Sequence, residues 1–133
     1  MSAAGATSSP ADASPLEACP ISPLIELVFS RWTTPVLWAL QHQGPLRFGE
    51  IRKQLGPVTS KVLTSRLRQL ERDGLVQRTW VGGVPPRADY AITDLGLSLS
   101  PAFRELATWT HANMGDVHTA RARYDEAGRP RPA

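Results

Sequence analysis

Apolar residues recur at helical spacing through most of the chain, most clearly between positions 59 and 74. Leu63, Leu67 and Leu70 stand at i, i+4 and i+7, the spacing of one buried helical face. Thr59 suits an N-cap and Gly74 the residue just past a C-terminus. At about 100° per residue, the opposite side carries Lys61, Thr64, Ser65, Arg68 and Arg72. The stretch predicts a capped amphipathic helix, although a basic outer face alone is also typical of ordinary solvated surface.

Three further helices are predicted before this one, with ends marked by proline or glycine. Ser22-Pro23 and Thr34-Pro35 pair a capping hydroxyl with a proline at the first helical position. Gly44-Pro45 ends the second helix, and Gly56-Pro57 ends the third. The inward residues of the three helices are Ile21, Leu24, Ile25, Val28 and Phe29; Val36, Leu37 and Leu40; and Phe48, Ile51 and Leu55. Leu46 and Arg47 form a short extended piece, and the third and fourth helices have a helix-turn-helix layout.

The pattern changes to strands after Gly74. Residues 75–81 and 87–93 are short and rich in β-branched and aromatic residues, and residues 82–86 form a Gly/Pro loop between them. Tyr90 and Ile92 share one face of the second strand, whereas the buried face of the first strand is left open. A helix-turn-helix followed by a hairpin predicts a winged helix, mainly α with a small β-hairpin.

A long apolar helix closes the pattern. Thr93 is its predicted cap, and its apolar positions are Leu95, Leu99, Phe103, Leu106 and Trp109. Pro101 is expected to bend or split this helix near residues 97–98. Such a helix either completes its own core or pairs with a second subunit. Together with the apolar first helix, it favours dimerisation, which gives flanking dimerisation helices around the winged helix.

Composition restricts the class of protein. The chain has 133 residues, 41% hydrophobic and 20% charged, as in ordinary globular domains. No apolar run approaches the ~18 residues that span a membrane. No Lys or Arg precedes Arg31, so we expect no secretory signal and a cytoplasmic protein. The domain boundaries predicted are a disordered tail at 1–18, a domain at 19–118 and a flexible tail at 119–133.

The positive charge is concentrated around the amphipathic helix. Residues 47–87 hold nine basic and three acidic residues, a net charge of +6, against +3 for the whole chain. This distribution is typical of a protein surface that binds nucleic acid. Hydroxyls and cations can contact base edges in a major groove, and a helix N-terminus can bind phosphate. The predicted contacts of the helix to DNA are Ser60, Lys61, Thr64, Ser65 and Arg68.

Four other arginines are candidates for the wing and for phosphates. Arg87 and Arg78 stand where a wing meets the minor groove, or else pair with Asp89 or Glu71. Arg47 and Arg52 suit phosphate contacts or intramolecular partners. No Ser-His-Asp order, carboxylate pair, Gly-rich phosphate loop or metal-ligand spacing is present, so neither an enzyme, a cofactor nor a metal is expected.

Cys19 is the single cysteine, which rules out an internal disulfide. It can be a buried thiol, a redox-reactive thiol or a bridge between two chains. It precedes the Pro23 helix start by a few residues, and that helix dipole would lower its pKa.

Several motifs in order then resemble one family. They are Cys19-Pro20, Arg31-Trp32, residues 45–52, residues 63–76, V-P-P-R-A-D-Y-A-I-T at 84–93, Leu95-Gly96 and Trp109. Together they resemble the HxlR-type winged-helix regulators, relatives of the MarR proteins, over residues 19–111. Phe29-Ser30-Arg31-Trp32 departs from the family's usual Gly-Gly-Lys-Trp but keeps the basic–aromatic pair.

The resemblance implies a bacterial homodimer that binds a pseudo-palindromic operator, usually as a repressor, and that joins the nucleoid when it is bound. It also implies sensing of oxidants or electrophiles through a cysteine placed like Cys19. Two alternatives stay open: a regulator switched by a small inducer in a dimer-interface pocket lined by Trp32, Trp109 or Met114, and a winged helix that serves as a protein-interaction module.

Overall fold

The computed structural model describes residues 14–128. They fall into two compact units that divide after Gly96. The helices are α1 (Pro15–Ala18), α2 (Ser22–Val28), α3 (Thr33–Gln43), α4 (Phe48–Leu55), α5 (Ser60–Arg72), α6 (Asp94–Leu97) and α7 (Ser100–Ala127). The strands are β1 (Leu46–Arg47), β2 (Val76–Val81) and β3 (Arg87–Ile92). The predicted fold class, a helix-turn-helix followed by a β-hairpin wing, is confirmed.

The three strands form one antiparallel sheet in the order β1-β3-β2. Leu46 lies opposite Tyr90, and Val76 lies opposite Ile92. Directly opposed residues share a face of an antiparallel sheet, so Leu46, Val76, Tyr90 and Ile92 lie on the same side. Leu46 and Val76 are buried there. The face of β2 that the sequence left open is therefore the one that carries Val76.

The core of the first unit is apolar and comes from the end of α2, from α3, α4 and α5, and from the base of the sheet. Its most completely buried side chains are Val28, Val36, Leu37, Leu40, Ile51, Leu63, Leu67, Leu70 and Val76. Every one of these positions in a helix lies on a face that hydrophobic periodicity predicts. Each buried leucine of this size stabilises the fold by roughly 1.5–3 kcal/mol relative to an exposed one.

The C-terminal end of α5 is joined closely to the start of β2. Gly74 adopts a positive φ of 79°, and the Leu75 N–H donates to the Leu70 carbonyl at 3.0 Å while the Gly74 N–H donates to Glu71 at 3.1 Å. These two bonds form the Schellman motif that the glycine predicts. The Thr93 hydroxyl donates to the Gly74 carbonyl at 2.6 Å and accepts from the Gly96 N–H at 3.1 Å. Thr93 thus caps α6, as predicted, and also fixes the end of α5.

The second unit is dominated by α7, a helix of 28 residues. At 1.5 Å per residue it is about 42 Å long. Pro101 stands in its first turn, and a turn at residues 98–99 separates it from α6, so the predicted split at the proline is confirmed. None of its residues is buried, and Leu106 and Trp109 are 47% and 55% exposed. Residues 14–128 form no core around these side chains.

Two predicted N-caps are wrong, the first by one residue and the second by two. Ser22 is the first residue of α2, because the Ile21 carbonyl already accepts from the Ile25 N–H at 3.0 Å. Helix α3 begins at Thr33, so its N-cap is Trp32, two residues before the predicted cap Thr34. The Ser30 hydroxyl accepts from the Thr33 N–H at 3.1 Å, and the Thr34 hydroxyl donates instead to the Val28 carbonyl at 2.6 Å.

The predicted tail boundaries also need correction. The sequence predicts disorder through residue 18, but Pro15–Ala18 form a helical turn capped by the Ser14 side chain. It predicts a flexible tail from residue 119, but α7 continues through Ala127 because nothing in residues 119–127 breaks a helix. Residues 1–13 and 129–133 lie outside the described residues. None of the four tryptophans is fully buried, and Trp38, Trp80 and Trp109 are exposed.

Candidate nucleic-acid interface

Helix α5 is fixed on one side and open on the other. Leu63, Leu67 and Leu70 are no more than 1% exposed. The Thr59 hydroxyl accepts from the Val62 N–H at 3.1 Å, which caps the N-terminus as predicted. Because both ends and one face are fixed, the orientation of the outer face is set by the core rather than by its own polar side chains.

A shallow depression of about 660 Å³ runs along the outer face of α5. It is lined by Ser60, Lys61, Thr64, Ser65, Arg68, Gln69 and Arg72. The five residues predicted for the helix therefore lie together on one surface. Arg66, two positions before Arg68, does not line it.

Gln69 is a member of this surface that sequence reasoning missed. It stands four residues after Ser65, so helical spacing alone would have included it. Its amide donates to the Asp73 carboxylate at 3.1 Å, which orients the carbonyl oxygen of the same amide group. An amide can pair with adenine through one donor and one acceptor.

The charge of the depression is not neutralised by the described residues. Within residues 14–128, neither Lys61 nor Arg68 forms an ion pair, since the ion pairs there are Arg78–Glu71 at 3.6 Å and Arg87–Asp89 at 3.5 Å. A surface with unpaired cations and exposed hydroxyls is suited to a polyanion. Phosphates and base edges together present the matching acceptors.

The structure shows the two hairpin arginines with intramolecular partners. Arg78 pairs with Glu71 of α5, and Arg87 pairs with Asp89 two residues along β3. Both arginine side chains remain accessible, at 36% and 45%. Exposed pairs of this kind contribute roughly 0–1 kcal/mol, so a phosphate can replace either carboxylate at little cost.

The two arginines around α4 differ from each other. Arg52 donates from Nε to the Val58 carbonyl at 3.3 Å, which ties α4 to the turn before α5. Arg47 precedes α4, and its backbone N–H donates to the Glu50 carboxylate at 2.9 Å. Arg47 itself is exposed. The structure thus gives Arg52 an intramolecular partner and leaves the Arg47 side chain open.

Cys19 lies between α1 and α2 and is partly exposed. The backbone N–H of Ile21, followed by the Ser22 hydroxyl, lowers the pKa of the Cys19 thiol, because both favour the thiolate. Partial burial opposes this shift. The surrounding depression, of about 560 Å³, includes Leu16, Glu17, Pro23 and Glu26.

Other chemistry has little support in the described part of the chain. No group of three or more His, Cys, Asp or Glu side chains there could hold a metal ion. No helix in residues 14–128 is long and apolar enough to cross a bilayer. Of the residues predicted to line an inducer pocket, Trp32 lies in the first unit and Trp109 and Met114 in the second, so that pocket stays a prediction.

Comparison with known proteins gives the family. The HxlR-like helix-turn-helix model matches residues 27–118. The uncharacterized HTH-type transcriptional regulator BH0655 of Halalkalibacterium halodurans is 35% identical over 97 residues, 73% of this chain and 86% of that protein. The uncharacterized HTH-type transcriptional regulator YtfH of Escherichia coli is 36% identical over 105 residues, 79% of this chain and 82% of that protein.

Solved structures show the same fold. The redox regulator HypR in its reduced form has a TM-score of 0.70 at 28% identity, with 75% of this chain and 98% of that chain covered. The reduced form of the transcriptional regulator YodB from B. subtilis has a TM-score of 0.63 at 30% identity, with 69% and 90% covered. The matching helix-turn-helix, wing and sequence show that this chain belongs to the HxlR-like family of helix-turn-helix transcriptional regulators.

Proposed function

We propose that the protein binds a pseudo-palindromic operator as a homodimer and represses transcription. The observation that carries the proposal is the outer face of α5, where seven polar or basic residues line one depression. Lys61 and Arg68 can donate to guanine, and the hydroxyls of Thr64 and Ser65 to bases or phosphates. The N-terminus of α5 at Ser60 points backbone N–H groups at a phosphate.

The remaining arginines divide into contacts and supports. Arg47 is free to bind a phosphate beside the entry of α5 into the major groove. Arg87 contacts the adjacent minor groove from the wing. Its ion pair with Asp89 is broken, and the guanidinium binds the DNA instead. Arg52 and Arg78, each with a partner in the fold, support the orientation of α5 and the wing and contribute little direct binding.

The homodimer is supported by α7. Its apolar side chains stay exposed in the single chain, although each would gain roughly 25 cal/mol per Å² on burial. A dimer would place two α5 helices on half-sites about 34–36 Å apart, one turn of DNA.

The test uses fluorescence anisotropy with a duplex from the region upstream of the protein's own gene. Wild type should bind it, and affinity should fall steeply as salt rises because phosphate contacts release counterions. Arg68→Ala should weaken binding by about 1–3 kcal/mol and relax specificity at one base pair. Arg66→Ala is the matched control, since it removes an exposed arginine of α5 that lies outside the depression.

The competing function is a protein-interaction module. It predicts no protection of the upstream region in a footprint at low salt and equal behaviour of the Arg68 and Arg66 variants. Either result contradicts the proposed DNA-binding regulator.

We further propose that oxidation of Cys19 releases the operator. HypR is a redox regulator, and Cys19 combines partial exposure with a lowered pKa. With one cysteine per chain, a disulfide must join two chains: two thiols lose two protons and two electrons, which an oxidant such as diamide accepts. Diamide should reduce the operator affinity of wild type and not of Cys19→Ser. An equal response of the two proteins would remove the sensor function.

A further inference from the structure

Trp80 is a large apolar side chain that the fold leaves uncovered. It is the fifth of six residues in β2, one residue before the strand ends at the wing loop, and is 63% exposed. Its cross-strand neighbour is Ala88, whose methyl group is too small to cover an indole. Much of the apolar surface of the indole therefore stays in contact with water, and the free energy of burying it is not gained on folding.

The face on which Trp80 stands is set by the alternation of β2. Val76, Arg78 and Trp80 share one side. Val76 is 2% exposed at the base of the hairpin, where the helices cover the sheet, and Arg78 pairs with Glu71 at the end of α5. Trp80 therefore continues the helix-facing side of the sheet beyond the last residue that the helices cover.

Arg78 links the indole to the basic surface. Its guanidinium carbon lies 5.6 Å from the centre of the Trp80 ring while its Nε faces Glu71. Through Arg78, the indole is therefore connected to the C-terminal end of α5. The segment around it, residues 47–87, has a net charge of +6.

We propose that Trp80 packs against the sugar–phosphate backbone of the operator, on the strand that passes between α5 and the wing. The inference rests on the proposed DNA-binding function. Deoxyribose offers an apolar surface to the indole ring, and the indole N–H can donate to a phosphate oxygen. The positive field around Trp80 favours this polyanion over an apolar protein partner. The contact carries no sequence information, because every nucleotide has the same sugar and phosphate.

The experiment compares Trp80→Ala with Trp38→Ala by anisotropy, on the upstream duplex and on a duplex of random sequence. Trp38 is the matched control, since it is 61% exposed on α3 and its ring lies against His42 of the same helix. Trp80→Ala should weaken binding to both duplexes about tenfold, or ~1.4 kcal/mol. The slope of log affinity against log salt should stay that of wild type, because no cation is removed. Trp38→Ala should bind as wild type does.

A second measurement follows the ring itself. DNA should protect one tryptophan from acrylamide quenching in wild type and in Trp38→Phe, and this protection should be lost in Trp80→Phe. Wild-type affinity of Trp80→Ala, or equal losses in the Trp80 and Trp38 variants, would overturn the Trp80 contact while leaving DNA binding in place. Failure of wild type to bind either duplex would overturn the proposed function itself.

Discussion

At the scale of single residues, Cys19 combines accessibility with a chemical environment that favours the thiolate. The Ile21 N–H and the Ser22 hydroxyl lower its pKa, so the thiolate persists to lower pH than in a free cysteine. Since the thiolate is the nucleophile, the rate of alkylation by iodoacetamide should reach half its maximum at a lower pH than for N-acetylcysteine. Ser22→Ala should shift this midpoint upward. A midpoint equal to that of the free thiol in both proteins would contradict the lowered pKa.

Thr59 is the residue that begins α5. Thr59→Ala removes the hydroxyl that accepts from the Val62 N–H, and the free energy of unfolding should fall by about 1 kcal/mol. Urea denaturation followed by circular dichroism measures the loss. Thr59→Ser keeps an acceptor and should be nearly as stable as wild type, whereas equal losses in both variants would assign the effect to the methyl group instead.

Residue positions on α5 could be predicted from spacing because a helix rotates by a constant angle, which separates Arg68 from Arg66. Partners across the hairpin could not be predicted in the same way. From the sequence, either Asp89 or Glu71 could pair with Arg87. The structure shows that Asp89 is the partner. The caps of α2 and α3 were misplaced because a local motif such as Ser-Pro does not show which carbonyl accepts the first helical bond.

At the scale of elements, α5, the wing and α6 meet at one joint. Thr93 contacts the Gly74 carbonyl and the Gly96 N–H, and its own N–H donates to the Leu75 carbonyl at 3.0 Å. This joint sets the angle between α5 and the hairpin, because it holds the last turn of α5 to the end of β3. The relative position of the two proposed DNA-contacting elements therefore depends on groups that touch no DNA.

Gly96 tests this joint. A Cβ there would lie 2.5 Å from the Leu75 carbonyl oxygen and 2.6 Å from Ile92, closer than atoms can pack, so backbone must move. Gly96→Ala should lower the free energy of unfolding by about 1–3 kcal/mol and weaken binding to the upstream duplex. Gly49→Ala is the control, because no atom lies within 4 Å of the added Cβ; its stability, measured in urea, should match or exceed that of wild type. Equal stability of the two variants would contradict the role of the joint.

The elements themselves were largely predictable, because proline and glycine mark their ends. Gly44, Gly56 and Gly74 each have positive φ at the end of a helix, and Pro101 begins α7. The buried face of β2 was not predictable, because both of its faces mix apolar and polar residues: Val76, Arg78 and Trp80 on one side, and Gln77, Thr79 and Val81 on the other. The helices of the first unit decide it by covering Val76 alone among the three.

At the scale of the whole molecule, burial differs sharply between the two units. The described residues of the first unit enclose a core, whereas α7 buries none of its 28 residues. A helix gains most of its stability from packing an apolar face, and the proposed dimer supplies such a surface for α7. Sequence periodicity identified the face of Leu106 and Trp109 but could not say which surface covers it, since a core and an interface have the same pattern.

The proposed dimer gives the last prediction. Leu106→Asp combined with Trp109→Asp places two charges on the exposed apolar face, and a charge buried at an interface without a partner is strongly unfavourable. Sedimentation should give wild type twice the 14.5 kDa chain mass and the double variant the mass of one chain. Operator affinity should also fall, because the two half-sites are then bound by separate molecules and the gain from linking them is lost.

His111→Asp is the control for this variant. His111 is exposed on the same helix, and at about 100° per residue it lies opposite the face of Leu106 and Trp109. It introduces the same side chain without touching the proposed interface, so it should remain a dimer with wild-type affinity. A dimeric double variant would show that α7 pairs through another face. A monomeric wild type that still protects both half-sites would show that the DNA, rather than α7, brings the two chains together.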